Sequence, residues 1–62
     1  MSKNMLTTKE TTLLSDLLTY EETACKKARL YSKITTNKKL AEDLKRIADN
    51  HQRRFNELLE LL

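Results

Sequence analysis

The chain has 62 residues with one cysteine and one histidine, no glycine or proline, and a net charge of +3. A chain this short buries only about 60% of the surface that its unfolded form exposes. The lone Cys25 excludes an internal disulfide and the zinc sites that need four Cys or His ligands, and the lack of glycine excludes phosphate-binding loops. We therefore predict a protein that is not an enzyme, needs no cofactor or metal, and is stabilised by association with copies of itself.

The composition predicts an all-α fold. Charged residues make up 34% of the chain and hydrophobic ones 39%, which is typical of helices with one wet face and one dry face. No apolar run approaches the roughly 18 to 20 residues of a membrane span, and no signal-peptide core follows Met1. The sequence therefore predicts a cytoplasmic protein that does not contact a membrane.

The first helix is predicted over about residues 8–34. Thr7 and Glu10 have the spacing of a capping box, in which each side chain accepts from the backbone N–H of the other residue. The apolar residues that follow recur at helical spacing and predict one dry side. They are Leu13, Leu14, Leu17, Leu18, Ala24, Cys25, Ala28 and Tyr31.

A turn is predicted at about residues 35–37, whose Thr and Asn side chains compete with helical hydrogen bonding. Thr36 or Asn37 then caps a second helix over about residues 38–62. Two helices joined by so short a connection form an antiparallel hairpin, so residues 1–62 are predicted to be a single domain. The apolar stripe of the second helix is Leu40, Leu44, Ile47, Ala48, Phe55, Leu58, Leu59 and Leu62.

A lone hairpin leaves much of its apolar surface wet, which costs roughly 25 cal/mol for each Å². Pairing two hairpins about a two-fold axis covers that surface, so we predict a homodimer that forms a four-helix bundle. The residues predicted to form the core and dimer face are Leu14, Leu17, Ala24, Ala28, Tyr31, Leu44, Ile47, Phe55, Leu58 and Leu62.

The charge distribution predicts how the two hairpins are oriented. From Lys26 to Arg46 there are eight basic and two acidic residues, a net charge of +6, whereas the rest of the chain has a net charge of −3. Two basic loops at one end of a bundle repel each other. We therefore expect the loops at opposite ends, each beside the acidic helix ends of the partner.

Glu21 and His51 interrupt the two apolar stripes. Each lies 15 residues from residue 36, so a hairpin that turns there places them at the same level. A buried carboxylate needs a partner, and Arg54 follows His51 by about one turn. The interpretation that we favour is an internal salt bridge that fixes the register of the helices. The alternative is a metal site built from the Glu and His of two copies.

Three runs of residues resemble the spore coat protein F family and its ferritin-like relatives in spore-forming bacteria. They are Leu14–Glu21, Thr36–Leu40 and Ile47–Leu58, and the resemblance spans roughly residues 6–62. It implies a ferritin-like hairpin with a structural role in the spore or its coat, no established catalysis, and other spore coat proteins as partners.

The metal-binding members of the ferritin-like group have a Glu on one helix and a Glu followed three residues later by a His on the next. Glu21 matches the first position, whereas His51 and Arg54 occupy the other two. The resemblance therefore does not extend to di-iron chemistry, and Arg54 is expected to take the place of the cation opposite Glu21.

A second resemblance is to small dimeric hairpins that regulate plasmid copy number by binding RNA. Those proteins use basic residues in the middle of their helices, whereas Lys26, Arg29 and Lys33 lie towards the loop. The basic end also has Tyr31 as its one aromatic residue for base stacking. Nucleic acid is therefore not the expected partner, and RNA binding stays an alternative.

Overall fold

A computed structural model describes residues 5–62 of the chain, and it consists of two helices that pack against each other as an antiparallel hairpin. Helix α1 spans Thr8–Ile34 and helix α2 spans Lys38–Leu59, and the hairpin measures 46 × 16 × 11 Å. The predicted all-α hairpin is confirmed for this part of the chain. Residues 1–4 of the predicted 1–62 domain lie outside the described residues.

The ends of the helices follow from hydrogen bonds that the sequence predicts. Thr7 and Glu10 form the capping box, since the Glu10 N–H donates to Thr7 Oγ1 at 3.1 Å and the Thr7 N–H donates to Glu10 Oε1 at 2.9 Å. Asn37 caps α2 by accepting from the Leu40 N–H at 2.8 Å. These two side chains fix where both helices begin.

Helix α2 ends at Leu59, three residues before the predicted end at Leu62. The Leu61 N–H donates to the Leu58 carbonyl at 3.0 Å, and the Leu62 N–H donates to the Leu59 carbonyl at 3.1 Å. Bonds that span three residues rather than four tighten the last turn, which is a common ending for a helix.

The core between the helices is narrow and consists of small side chains. Ala48 is fully buried, Cys25 and Ala28 are each 7% exposed, and Leu44 packs against them. Small residues let the two backbones approach closely, so no large apolar side chain among the described residues is fully buried. Most of the leucine surface of the hairpin therefore lies outside this core.

The predicted core and dimer face separates into two adjacent stripes, because two helices that meet along one line cover only the side chains nearest that line. Ala28 is buried, and Leu14, Ala24, Leu44, Phe55 and Leu58 are half-buried. Cys25 and Ser32 are buried between the helices as well, although neither was among the residues predicted to form the core and dimer face. The residues of the predicted face that stay exposed are Leu17, Tyr31, Ile47 and Leu62.

Eight of the exposed apolar residues recur at helical spacing on one side of the hairpin, which we call the open face. Leu17 of α1 and Leu61, two residues beyond the end of α2, line one groove there, and the other members follow at heptad spacing along each helix. The opposite side, which we call the polar face, is lined by Glu22, Lys26 and Gln52. The open face is defined by Leu13, Leu17, Tyr20, Tyr31 and Ile34 of α1, by Leu40 and Ile47 of α2, and by Leu61 just beyond α2.

Candidate functional site

Three charged or polar side chains meet where the open face borders the core. His51 Nδ1 lies 2.5 Å from Glu21 Oε1, and Arg54 Nε donates to Glu21 Oε2 at 3.2 Å. The Glu21 residue is 7% exposed, whereas the Arg54 side chain is 45% exposed. The structure thus brings together Glu21, His51 and Arg54, which we call the central cluster.

The helices position this cluster in a simple way. Glu21 is the middle residue of α1, and His51 and Arg54 are separated by three residues on α2, so they present neighbouring side chains to one carboxylate. The rings of Tyr20 and His51 pack edge to face, with 6.3 Å between centroids and 81° between planes. The contact with the Tyr20 ring and the hydrogen bond with the Glu21 carboxylate together orient the imidazole.

The contacts of the cluster indicate that Nδ1 of His51 carries a hydrogen. An ionised carboxylate only accepts hydrogen bonds, so the short contact with Glu21 Oε1 requires that Nδ1 carry a hydrogen and donate it. Arg54 Nη2 also lies 2.9 Å from His51 Nδ1, but a guanidinium has no acceptor and cannot bond a protonated nitrogen. The cluster is therefore two donors that converge on one carboxylate.

The same geometry favours the ionised form of Glu21. The hydrogen bond from His51 lowers the pKa of Glu21 below its ordinary value of 4.5, and Arg54 lowers it further through a hydrogen bond and its positive charge. Burial of the carboxyl group opposes this by raising the pKa, but the net direction is downward. Both carboxylate oxygens are thus engaged, and the charge on Glu21 is compensated inside the fold.

The metal interpretation requires carboxylate oxygens that are free to coordinate a cation. One oxygen of Glu21 accepts from His51 and the other accepts from Arg54. Over residues 5–62 no group of three or more His, Cys, Asp and Glu side chains lies close enough to hold a metal ion. A cation at Glu21 would have to displace the Arg54 guanidinium, which already supplies a positive charge there.

A second polar contact joins the helices on the polar face, and the sequence reasoning missed it. Arg29 Nη2 donates to Asp49 Oδ1 at 3.2 Å and lies 3.7 Å from Cys25 Sγ. The thiol donates to Gln52 Oε1 at 3.9 Å. The hydrogen bond to the thiol, followed by the one to Asp49, raises the pKa of the Arg29 guanidinium.

The open face has a shallow groove of about 380 Å³ beside the central cluster, lined by Leu17, Glu21, Arg54, Glu57, Leu58 and Leu61.

Neither helix in the described part of the chain, residues 5–62, is both long enough and apolar enough to cross a membrane. Comparisons with models of known protein families, with curated proteins and with solved structures give no match.

Proposed function

We propose that this chain is a non-catalytic structural or interaction protein that acts as a homodimeric four-helix bundle with a ferritin-like arrangement. The observation that carries the proposal is the open face, where apolar side chains of both helices are exposed on a hairpin that has few buried apolar residues of its own. The resemblance to the spore coat protein F family supports a cytoplasmic, spore-associated role with other coat proteins as partners.

Exposure along the open face is the first argument for a second copy. Leu13 is 54% exposed, Leu17 47%, Ile47 40% and Leu61 44%, and they follow one another at spacings that suit packing against another helix. Isolated exposed leucines are common on protein surfaces, but a contiguous stripe on two neighbouring helices is typical of an interface. A second hairpin has the same length and the same apolar stripe, so two copies cover each other.

The central cluster is the second argument. Arg54 lies on the open face with nearly half of its side chain in solvent, although its Nε donates to a buried carboxylate. An arginine that is already paired can be covered by a partner at much lower cost than an unpaired one. The cluster therefore makes the middle of the open face compatible with burial.

The test is the mass of the protein in solution. Sedimentation equilibrium of the wild-type chain is expected to give twice the 7.3 kDa mass of one chain. Leu13→Glu places a charge on the open face and is expected to weaken the dimer at least a hundredfold, because the carboxylate would be desolvated without a partner. Leu30→Glu is the matched control, since Leu30 is 53% exposed on the same helix but outside both faces.

The outcomes separate the proposal from its alternatives. A wild-type monomer at about 100 µM, roughly the concentration range of a weak interface, overturns the proposal. Equal weakening by Leu13→Glu and Leu30→Glu overturns the assignment of the open face. Native mass spectrometry of the same sample reports bound metal, and gel shifts with hairpin RNA at low salt report RNA binding. A stoichiometric metal or salt-sensitive RNA binding favours the corresponding alternative.

A further inference from the structure

We infer that the second copy packs on the open face in the reverse direction, with its loop at the opposite end and the two central clusters meeting at the two-fold axis. This inference rests on the proposed homodimer and specifies its architecture. The axis runs perpendicular to the helices, so α1 packs against the partner's α1 and α2 against the partner's α2.

The spacing along α1 is the first observation. When two copies of one helix pair in opposite directions, the apolar residues of the stripe must be spaced symmetrically about its midpoint. Leu13 and Ile34 lie equally far from the midpoint between Thr23 and Ala24, and so do Tyr20 and Lys27. Leu17 and Tyr31 lie equally far from Ala24, half a residue from that midpoint, so the apolar members of the α1 stripe other than Tyr20 are symmetric to within half a residue.

The stripe on α2 has the same property. Leu40 and Leu61 lie equally far from the midpoint between Asn50 and His51, and so do Ile47 and Arg54. A single two-fold axis can serve both helices only if the two midpoints lie at the same level of the hairpin. This packing therefore has two requirements. The stripe on each helix must be symmetric, and the midpoints of the two stripes must lie at the same level of the hairpin.

Contacts between the helices establish that common level. His51 contacts Glu21, and Gln52 contacts Cys25, so the residues that follow Asn50 on α2 lie beside residues 21–25 of α1. The midpoint of the α1 stripe falls within that range. One perpendicular axis therefore passes through the middle of both stripes, close to the central cluster.

The charges decide between this packing and the one that places both loops at the same end. The segment Lys26–Arg46, which contains the loop, has a net charge of +6, and the rest of the chain has a net charge of −3. Its ion pairs Lys39–Asp43 and Arg46–Asp43 lie within the segment and leave its net charge unchanged. Two such ends side by side repel, whereas reversed copies place each basic end beside the partner's acidic one.

In the reversed packing, side chains of the second copy also fill the groove on the open face. The groove is lined by Leu17 and Leu61. A reversed second copy brings the partner's Tyr31 close to the level of Leu17 and the partner's Leu40 level with Leu61. An aromatic ring and a leucine suit a largely apolar groove of about 380 Å³.

Disulfide cross-linking tests the direction of packing. The background is Cys25→Ala, because Cys25 is the one cysteine of the chain. With Ala24→Cys added, the reversed packing places the new thiol next to its own copy at the axis, so oxidation is expected to give a covalent dimer. When Leu13→Cys and Ile34→Cys chains are refolded together, the reversed packing is expected to give the mixed disulfide.

The packing with both loops at one end predicts different cross-links, because α1 then lies against the partner's α2. In that case a mixture of Leu13→Cys and Leu61→Cys chains gives the mixed disulfide. Sedimentation of the reduced variants checks that they are dimers. The inference is overturned if the dimers form the Leu13–Leu61 link or form neither link of the reversed packing. The proposed function itself is overturned if the wild type and the reduced Cys25→Ala chain are both monomers.

Discussion

The ionic contacts between α1 and α2 on the two faces of the hairpin differ in burial. On the open face, Glu21 is 7% exposed and accepts from two side chains. On the polar face, the side chains of Arg29 and Asp49 are 43% and 72% exposed. The comparison teaches that distance alone does not define the importance of an ion pair, since both arginine contacts measure 3.2 Å.

The difference in burial has a physical consequence. Water screens the Arg29–Asp49 pair and solvates each partner if the other is removed. Glu21 has no comparable access to water, so loss of its donors leaves a buried carboxylate uncompensated. We therefore expect the contact on the open face to affect stability and assembly, and the contact on the polar face to affect neither.

The largest effect is expected from Glu21→Gln, which keeps the shape of the side chain but removes its charge. His51 and Arg54 then lose the ionised acceptor on which they converge. We expect the free energy of unfolding to fall by about 1 to 3 kcal/mol. Urea denaturation followed by circular dichroism at pH 7 measures it.

The neighbouring residue supplies the control for this substitution. Glu22 pairs with Lys26 on the surface, with side chains that are 54% and 76% exposed. Glu22→Gln is expected to leave the unfolding midpoint unchanged, because exposed pairs one turn apart contribute little. A neutral or stabilising Glu21→Gln variant would show that Glu21 does not depend on its partners.

The pH dependence of stability is expected to show the same contrast with a smaller change. The pKa of Glu21 is lowered below 4.5 in the fold, so the folded protein binds fewer protons at this site than the unfolded chain. The contribution of Glu21 is therefore present above about pH 4.5 and is lost as the pH falls towards the lowered pKa of the folded state. The measurement is the difference in unfolding free energy between wild type and Glu21→Gln from pH 7 to pH 3.

Other carboxyl groups also titrate in this range, so the difference between the two proteins matters rather than either curve. Asp43 has a pKa lowered by Lys39 and Arg46, and it titrates equally in both proteins. The advantage of the wild type is expected to shrink between pH 4.5 and pH 3. An advantage that grows on acidification would contradict the assignment of Glu21 as the ionised acceptor.

The sequence was sufficient to predict the features that depend on local hydrogen bonds. Thr7 with Glu10 and Asn37 predicted the starts of both helices, because capping side chains act within three residues. The contact between Glu21 and His51 followed from equal counts on either side of the turn. Both predictions needed only the position of the turn and the rise of a helix.

The sequence did not predict that the apolar side of the hairpin divides into a buried stripe and an exposed one. Helical spacing identifies a dry side, but it does not identify which of two adjacent stripes meets the neighbouring helix. The small side chains of Cys25, Ala28 and Ser32 selected that stripe in the fold, since they allow the closest approach of the backbones. Leu17 and Tyr31 were left on the open face as a result.

The Arg29–Asp49 pair was missed because the two residues are not equally far from the turn. Side chains lean towards the N-terminus of their own helix, so those of α1 lean away from the loop and those of α2 lean towards it. Arg29 and Asp49 meet because both lean in this way and the arginine is long. Counting backbone levels alone cannot reveal such a pair.

The smallest effect is expected from Asp49→Asn, which removes the ionic contact on the polar face. Arg29 keeps its access to water, so the urea midpoint is expected to stay within experimental error of the wild type at about 0.15 M salt, where the Debye length is about 8 Å. Asparagine is also nearly isosteric with aspartate, so the packing around this position is preserved. A loss as large as that of Glu21→Gln would mean that the polar face is buried in solution, and the second copy would then have to pack on the polar face rather than on the open face.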